Sequence, residues 1–330
     1  MNTIRCATGS ALLAAMLLTA CGGGGDDDPA PPAGPTTAER TAAATTTANS
    51  STNACNPIRP FWWEIGDKDA RIASGTVNST TDPTVWTGST VTSIASASKW
   101  LYGGYVVQKR AGVLTANDVR FLTFTSGYVS FAICLPGQTI DECVAFGNNG
   151  DYTPAADGKF SYGGGHMEKH AQLEGLGPLD NDGLAAEVRS QIGTDVGLAY
   201  SQPQPAGGGV SSADDYARYL RKILRGDLKM KDALGTHAVC TNPATCATAL
   251  NAPVPSSESW SYSIGHWVET DPVVGDGSFS SPGAFGFYPW IDSTKTLYGV
   301  LARRSDTGGG YDSVACGRLI RKAWKTATPQ

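Results

Sequence analysis

The sequence lacks the features that point to a membrane-spanning or nucleic-acid-binding protein. Its N-terminal apolar run, ALLAAMLLTA, covers about ten residues, which is too short to cross a bilayer. Positive charge is not in excess, because 25 lysines and arginines stand against 30 acidic residues and the net charge is −5. No basic stripe and no internal repeat are visible, so nucleic-acid binding has no support.

The first 21 residues are typical of an export signal. One arginine precedes the apolar run, and the run ends in the tetrapeptide LTAC at Cys21. This ending resembles the lipobox of bacterial lipoproteins, which implies that Cys21 is acylated and anchors the mature chain to a membrane. An ordinary secretory signal with a chance cysteine is the alternative. Gly22 after the cysteine implies the outer membrane in that family, and the chain is expected to be exported in either case.

Composition divides the rest of the chain at Cys55. Residues 22–54 consist mainly of Gly, Pro, Ala, Thr and Ser, which predicts a disordered tether. Residues 55–330 carry apolar segments separated by Gly and Pro. They are numerous enough for one large domain or for two lobes that share a cleft.

The cysteine count favours disulfides over metal ligation. Cys6 and Cys21 belong to the export segment, and an even number remains for an oxidising compartment. Six cysteines allow 15 connectivities, so proximity in the sequence has to guide the choice. It predicts the pairs Cys134–Cys143 and Cys240–Cys246, which leaves Cys55 to pair with Cys316.

Hydrophobic periodicity predicts an α+β domain. FWWEIGDKDARIASGTVN alternates around a Gly-Asp turn and predicts a hairpin, and residues 100–113 predict a buried helix with Gly112 near its end. SSADDYARYLRKILRGDL predicts a helix that Ser212 and Asp215 cap and Gly226 ends. SWSYSIGHWVE, GAFGFYPWID and TLYGVLARR predict strands, and SVACGRLIRKAWKTA predicts a final helix.

The stretch SASK places Ser96 three residues before Lys99, so that both side chains face one side of a helix. A helix N-terminus at Ser96 would favour a developing alkoxide. A lysine whose pKa is lowered by desolvation could take the serine proton. The alternative is the polar start of an ordinary helix with a solvated lysine.

The surrounding sequence decides between these interpretations. SIASASKWLYGGYVVQKRAGVLTANDVRFLTFTSGY resembles the nucleophile region of the serine β-lactamase and penicillin-binding superfamily. The resemblance is to the branch of class C β-lactamases, D-Ala-D-Ala carboxypeptidases and family VIII carboxylesterases, and Phe124 replaces that branch's histidine. AGGGVSSADDYARYLRKILRG also resembles this branch. The resemblance implies an antiparallel sheet flanked by helices, a mostly helical lobe, and an active site between them.

The family's second motif, Tyr-x-Asn, corresponds to Tyr162-Gly163-Gly164. The resemblance implies that the Tyr162 phenolate, with its pKa depressed by Lys99, deprotonates Ser96 and returns the proton to the leaving group. Gly164 stands where the family has a substrate-binding asparagine. A glycine-rich turn with a packed tyrosine is the alternative.

The third motif, Lys-Thr-Gly or His-x-Gly, corresponds to Ser281-Pro282-Gly283. The resemblance implies that Gly283 lets the backbone approach the substrate and that the amides of Ser96 and Ala284 form an oxyanion hole. Ser281, at the substrate-binding position of the motif's cation, offers only a hydroxyl.

His166 and His170 lie four residues apart in HMEKH, a spacing that suits a metal. Glu168 does not complete a His-Glu-x-x-His motif, and the sequence suggests no third ligand. We therefore expect no metal and no cofactor.

Together, these features predict an exported, monomeric serine hydrolase with Ser96, Lys99 and Tyr162 as its catalytic residues. The expected activity is that of a carboxylesterase on short or neutral esters. A D-Ala-D-Ala carboxypeptidase or a weak β-lactamase is the second interpretation. A non-catalytic cell-envelope binding module on a decayed hydrolase fold is the third.

Overall fold

The computed structural model describes residues 34–330, and residues 35–330 form one compact unit. The predicted export signal and Cys21 lie outside the described residues. None of the helices in the described part of the chain combines the length and the hydropathy needed to cross a membrane.

The described part of the chain contains nine α-helices and thirteen strands, which makes the fold α+β as predicted. The helices are α1 (Thr37–Ala48), α2 (Ser98–Lys109), α3 (Ala116–Leu122), α4 (Ile140–Ala145), α5 (Gly165–Ala171), α6 (Asn181–Ile192), α7 (Ala213–Arg225), α8 (Met230–Ala233) and α9 (Gly310–Thr326). The strands are β1 (Phe61–Gly66), β2 (Arg71–Val77), β3 (Thr92–Ser93), β4 (Phe160–Ser161), β5 (Leu198–Tyr200), β6 (Gly209–Ser211), β7 (Val239–Cys240), β8 (Ala249–Asn251), β9 (Ser261–Tyr262), β10 (Trp267–Val268), β11 (Phe279–Ser280), β12 (Tyr288–Ile291) and β13 (Tyr298–Ala302).

The main sheet has eight antiparallel strands in the order β2-β1-β13-β12-β11-β10-β9-β7. All five residues of β13 are buried. Successive residues of a strand point to opposite faces, and α7 reaches one face through the Arg221–Tyr298 hydrogen bond. On the other face, Gly317 of α9 lies against Tyr288, whose strand partner is Leu301. Helices therefore cover both sides of the sheet.

A second group of helices packs around α2. Helix α6 lies against α2, and α3 and α4 lie against α5. Ten of the twelve residues of α2 are buried, including Lys99. The start of α2 consequently lies deep in the molecule, between the helical part and the sheet.

The predicted tether is wrong for its second half, because Thr37–Ala48 forms α1. Thr36 and Glu39 form a capping box at its start. The helix packs against α9, and Arg40 donates hydrogen bonds to the carbonyl oxygens of Trp324 and Lys325 at 2.9 and 2.7 Å. The folded unit therefore begins about twenty residues before Cys55.

The three predicted disulfides are all present. They join Cys55 to Cys316, Cys134 to Cys143, and Cys240 to Cys246, with Cα–Cα distances of 4.6, 4.9 and 6.1 Å. The first connects Cys55, which lies between α1 and β1, to α9, 261 residues away in the sequence.

Local signals in the sequence correctly predict the first hairpin and helix α7. The predicted hairpin corresponds to β1 and β2, and Ser212 caps α7 by accepting from the Asp215 backbone amide. Gly226 ends α7 in the left-handed conformation. Helix α2 ends at Lys109, earlier than predicted, because the chain turns at Ala111 and Gly112, both of which have positive φ.

Candidate active site

Ser96 lies in a short 3₁₀ helix, Ala95–Ala97, that leads directly into α2. Ala95 has a φ of +42°, an unusual conformation for a residue with a side chain. The buried Ser98 hydroxyl stabilises this turn, because it donates to the Ala95 carbonyl oxygen at 2.6 Å and accepts from the Gly209 amide at 3.0 Å. The turn leaves Ser96 half-buried at the wall of a cavity.

Lys99 lies one turn after Ser96, with its Nζ 2.9 Å from Ser96 Oγ. The side chain is buried, and its Nζ also donates to the carbonyl oxygen of Ala206 at 2.7 Å. Burial lowers the pKa of Lys99 to about 7, since no water stabilises its charged form. Near neutral pH a large fraction of Lys99 is therefore an uncharged amine, which can donate to Ala206 and accept from Ser96.

Tyr162 follows β4 and contributes its ring to the same place. Lys99 Nζ lies 4.8 Å from the centroid of the ring, which stacks on Trp267 at 5.2 Å. Burial raises the pKa of Tyr162 to about 12, although the neighbouring Ser96 hydroxyl and Trp267 indole favour the phenolate.

The expected depression of the Tyr162 pKa is therefore wrong. It assumed that Lys99 carries a full positive charge, whereas burial shifts Lys99 and Tyr162 alike toward their neutral forms. Lys99 is the group that can accept the proton of Ser96, and Tyr162 is a phenol that can donate one.

A cavity of about 450 Å³ adjoins these side chains, and Ser96, Tyr162 and Ala284 all line it. This volume lies within the usual range of small-molecule sites, about 300–1,000 Å³. Ala284 stands on a tight turn in which the Gly283 amide donates to the Phe287 carbonyl oxygen at 2.8 Å. The two residues predicted to supply the oxyanion hole thus border one space.

Gly283 has a packing role next to the predicted nucleophile. It is buried, and a Cβ at this position would collide with the carbonyl oxygen of Ile94, two residues before Ser96. Only glycine allows the turn that carries Ala284 to pack against the segment that carries Ser96. This close approach is between two protein backbones.

Ser281 and Gly164, both predicted to bind substrate, pack against other parts of the protein. Ser281 is buried, and its hydroxyl donates to the backbone carbonyl oxygen of Ser96 at 3.0 Å. Gly164 precedes α5 and lies against the ring of Phe131. Neither residue borders the cavity among the residues that the structure describes.

Asn251 is a site residue that sequence reasoning missed. Its Oδ1 accepts the backbone N–H of Tyr162 at 2.8 Å, and its Nδ2 donates to Ser161 Oγ at 3.1 Å. The parallel pairing of β8 with β4 creates this contact. Since Asn251 and Tyr162 are 89 residues apart in the sequence, no local pattern could have revealed it.

The histidine pair of the HMEKH stretch forms two separate buried hydrogen-bonding sites. His166 contacts Ser126 Oγ at 2.7 Å and the Ser161 carbonyl oxygen at 3.0 Å. His170 contacts Tyr102 Oη at 2.8 Å and Asp118 Oδ1 at 3.0 Å. All four ring nitrogens thus have protein partners, which leaves the pair no common metal position.

Solved structures share this architecture. A putative β-lactamase from Bacteroides dorei has 18% sequence identity and a TM-score of 0.57, over 81% of this chain and 94% of its own. The octameric penicillin-binding protein homologue from Pyrococcus abyssi has 15% identity and a TM-score of 0.57, over 83% and 74%. The fold is that of the serine β-lactamases and penicillin-binding proteins.

A third solved structure of this fold is EstCE1, a hydrolase with promiscuous acyltransferase activity. It has 13% identity and a TM-score of 0.58, over 86% of this chain and 98% of its own. Neither the protein-family models nor the curated proteins contain a match to this sequence. The likeness to these solved structures establishes the fold of the chain and does not establish its activity.

Proposed function

We propose that the protein is a serine hydrolase that forms an acyl-enzyme on Ser96 and acts as a carboxylesterase on neutral esters. The observation that carries the proposal is the 2.9 Å contact between Ser96 Oγ and the buried Lys99 Nζ. A lysine whose pKa is lowered to about 7 is suited to general-base work at neutral pH.

In the proposed reaction, Ser96 Oγ attacks the ester carbonyl carbon while its proton moves to neutral Lys99. The amides of Ser96 and Ala284 stabilise the oxyanion. When the tetrahedral intermediate collapses, the bond to the alkoxy group breaks and Tyr162 Oη donates its proton to the departing oxygen. Tyr162 regains a proton from Lys99, so that a water molecule can then release the acid by the same steps in reverse order.

The charge around the cavity supports neutral substrates. Asp312 is the one charged side chain among the described residues that line it. A carboxylate beside the scissile bond would meet this acid, and no cationic side chain lines the cavity among the described residues. EstCE1, a protein of the same fold, is a hydrolase, which supports a hydrolase activity for this chain.

The D-Ala-D-Ala carboxypeptidase and β-lactamase activities form the second candidate, since β-lactamases and penicillin-binding proteins share this fold. An assay with a short p-nitrophenyl ester, nitrocefin and a D-Ala-D-Ala peptide distinguishes them. We expect the ester to be turned over fastest and Ser96→Ala to abolish that turnover. Efficient nitrocefin hydrolysis with negligible esterase activity would contradict the proposal, and Ser89→Ala, at an exposed serine, is the control.

We further propose that the mature chain is a monomer, lipid-anchored to the outer membrane through Cys21. The lipobox-like LTAC sequence supports the anchor. Replacing Cys21 by serine should move the protein from the detergent fraction to the soluble fraction, because the lipid is then lost. A variant that stays in the detergent fraction would contradict this anchor. The molar mass of the released domain, measured by light scattering, tests whether the protein is a monomer.

A further inference from the structure

The wall of the cavity beside Ser96 is largely apolar. Besides Tyr162, three aromatic side chains, Trp260, Trp267 and Tyr311, line it together with Val254 and Val314. Trp260 and Trp267 meet edge to face at 5.7 Å. Rigid aromatic rings bury a large area when an apolar group contacts them.

Buried Glu258 fixes two of these rings. It accepts a hydrogen bond from Trp260 Nε1 at 2.6 Å, and Tyr311 Oη donates to its other oxygen. Arg318 neutralises its charge at 3.0 Å. Glu258 itself does not line the cavity among the described residues. The polar atoms of both rings therefore have partners in the wall, and what remains for a ligand is ring carbon.

The charges near this wall disfavour ions of both signs. Arg318 lies 4.8 Å from the centroid of the Trp260 ring. The Trp260 ring already has a cationic partner, so a ligand cation stacked on it would add repulsion from Arg318 to any cation–π attraction. An anion would meet the exposed carboxylate of Asp312 at the rim.

We propose that this cavity binds an uncharged, bulky apolar group of the substrate, aromatic or branched, next to the scissile ester carbonyl. The proposal rests on the proposed esterase function and narrows it from neutral esters in general to esters that carry such a group. Glu258 is a positioning residue for the cavity, because it acts only through Trp260 and Tyr311.

Binding without turnover tests the cavity itself. Isothermal titration calorimetry of the wild-type protein compares phenylacetamide, acetamide and the phenylacetate anion. We expect phenylacetamide to bind at least tenfold more tightly than either of the others. Equal affinity for phenylacetamide and acetamide, or tighter binding of the anion, would overturn the proposal.

Val254→Trp places a large ring in the cavity, and Val273→Trp makes the same change at a residue that is 87% exposed. We expect Val254→Trp to weaken phenylacetamide binding at least tenfold and Val273→Trp to leave it unchanged. Val314→Phe places a ring in the cavity from the side of α9. It replaces Val254→Trp in this experiment if that variant does not fold. Unchanged binding in a folded cavity variant would show that the ligand lies elsewhere and would overturn the proposal.

Turnover separates this inference from the proposed function. We expect kcat/KM for p-nitrophenyl phenylacetate to exceed that for p-nitrophenyl acetate at least tenfold, and benzyl acetate against methyl acetate, whose alcohols have similar acidity, tests the alkoxy group. Selective binding of phenylacetamide without hydrolysis of any ester would support the proposed ligand of the cavity and contradict the proposed esterase activity. Hydrolysis of all four esters with similar kcat/KM values would contradict the proposed ligand of the cavity and support the proposed esterase activity.

Discussion

Ser281 donates a hydrogen bond to the backbone carbonyl oxygen of Ser96 at 3.0 Å, across 185 residues of sequence. This contact connects the end of β11 to the turn that carries the nucleophile. Ser281 is thus a positioning residue, and its hydroxyl is not free to select substrates by charge.

Ser281→Ala should lower kcat/KM about fivefold for every ester alike, because it removes one buried hydrogen bond of about 1 kcal/mol. Ser280→Ala is a matched control, since the neighbouring Ser280 hydroxyl is also buried but has no partner among the described residues. Steady-state kinetics on a neutral and an anionic ester check this. A loss confined to the anionic ester would place Ser281 in contact with substrate.

The rate should depend on pH through Lys99. The neutral amine is the active form, and burial sets its pKa to about 7, so kcat/KM should rise with pH, with a midpoint near 7, and then level off. The upper limit, set by the Tyr162 pKa of about 12, lies beyond the usual assay range. A profile measured between about pH 5 and 9 that is flat, or that falls with pH, would contradict Lys99 as the base.

Asn251→Ala should lower kcat several-fold with little change in KM, because the backbone of Tyr162 loses the acceptor that positions it at 2.8 Å. Asn251→Asp keeps this acceptor and should retain most of the activity. The exposed Asn148 provides a control as Asn148→Ala. Equal kcat values for Asn251→Ala and Asn148→Ala would show that Asn251 does not position Tyr162.

Lys99→Met should stabilise the folded protein at pH 7 while abolishing turnover. The pKa of Lys99 falls from 10.5 to about 7 on folding, so the unfolded chain binds more protons between these values. Stability is consequently lost as pH falls from 10.5 through 7. Removing the amine should recover part of this loss, about 1 to 2 kcal/mol at pH 7, because the variant also loses the hydrogen bonds to Ser96 and Ala206. The gain should shrink toward pH 10.5. Denaturant unfolding of both proteins at several pH values, with disulfides intact, measures the difference, and a less stable variant at pH 7 would refute it.

The features that the sequence predicted correctly depend on short-range chemistry. Ser212 and Gly226 bound α7 because capping involves residues within one turn of each other. Ser96 and Lys99 meet because helical spacing alone brings them to the same side. The disulfide pairs that close short loops followed from proximity in the same way.

The features that the sequence could not predict depend on distant contacts or on burial. Helix α1 has the composition of a flexible linker, and its packing on α9 is what stabilises it. The pKa of Tyr162 follows from how deeply the fold buries Lys99 and Tyr162, which motif spacing does not reveal. The roles of Ser281 and Asn251 arise where separate strands meet.

The central claim is that Ser96 is the nucleophile, and covalent labelling tests it most directly. The protein is treated with a fluorophosphonate probe, and the modified residue is located by mass spectrometry of peptides. We predict one label, on Ser96, that forms faster as pH rises through about 7, is retained in Ser89→Ala, and is absent from correctly folded Ser96→Ala. Labelling at another serine, or no labelling of the folded wild-type protein, would contradict the account.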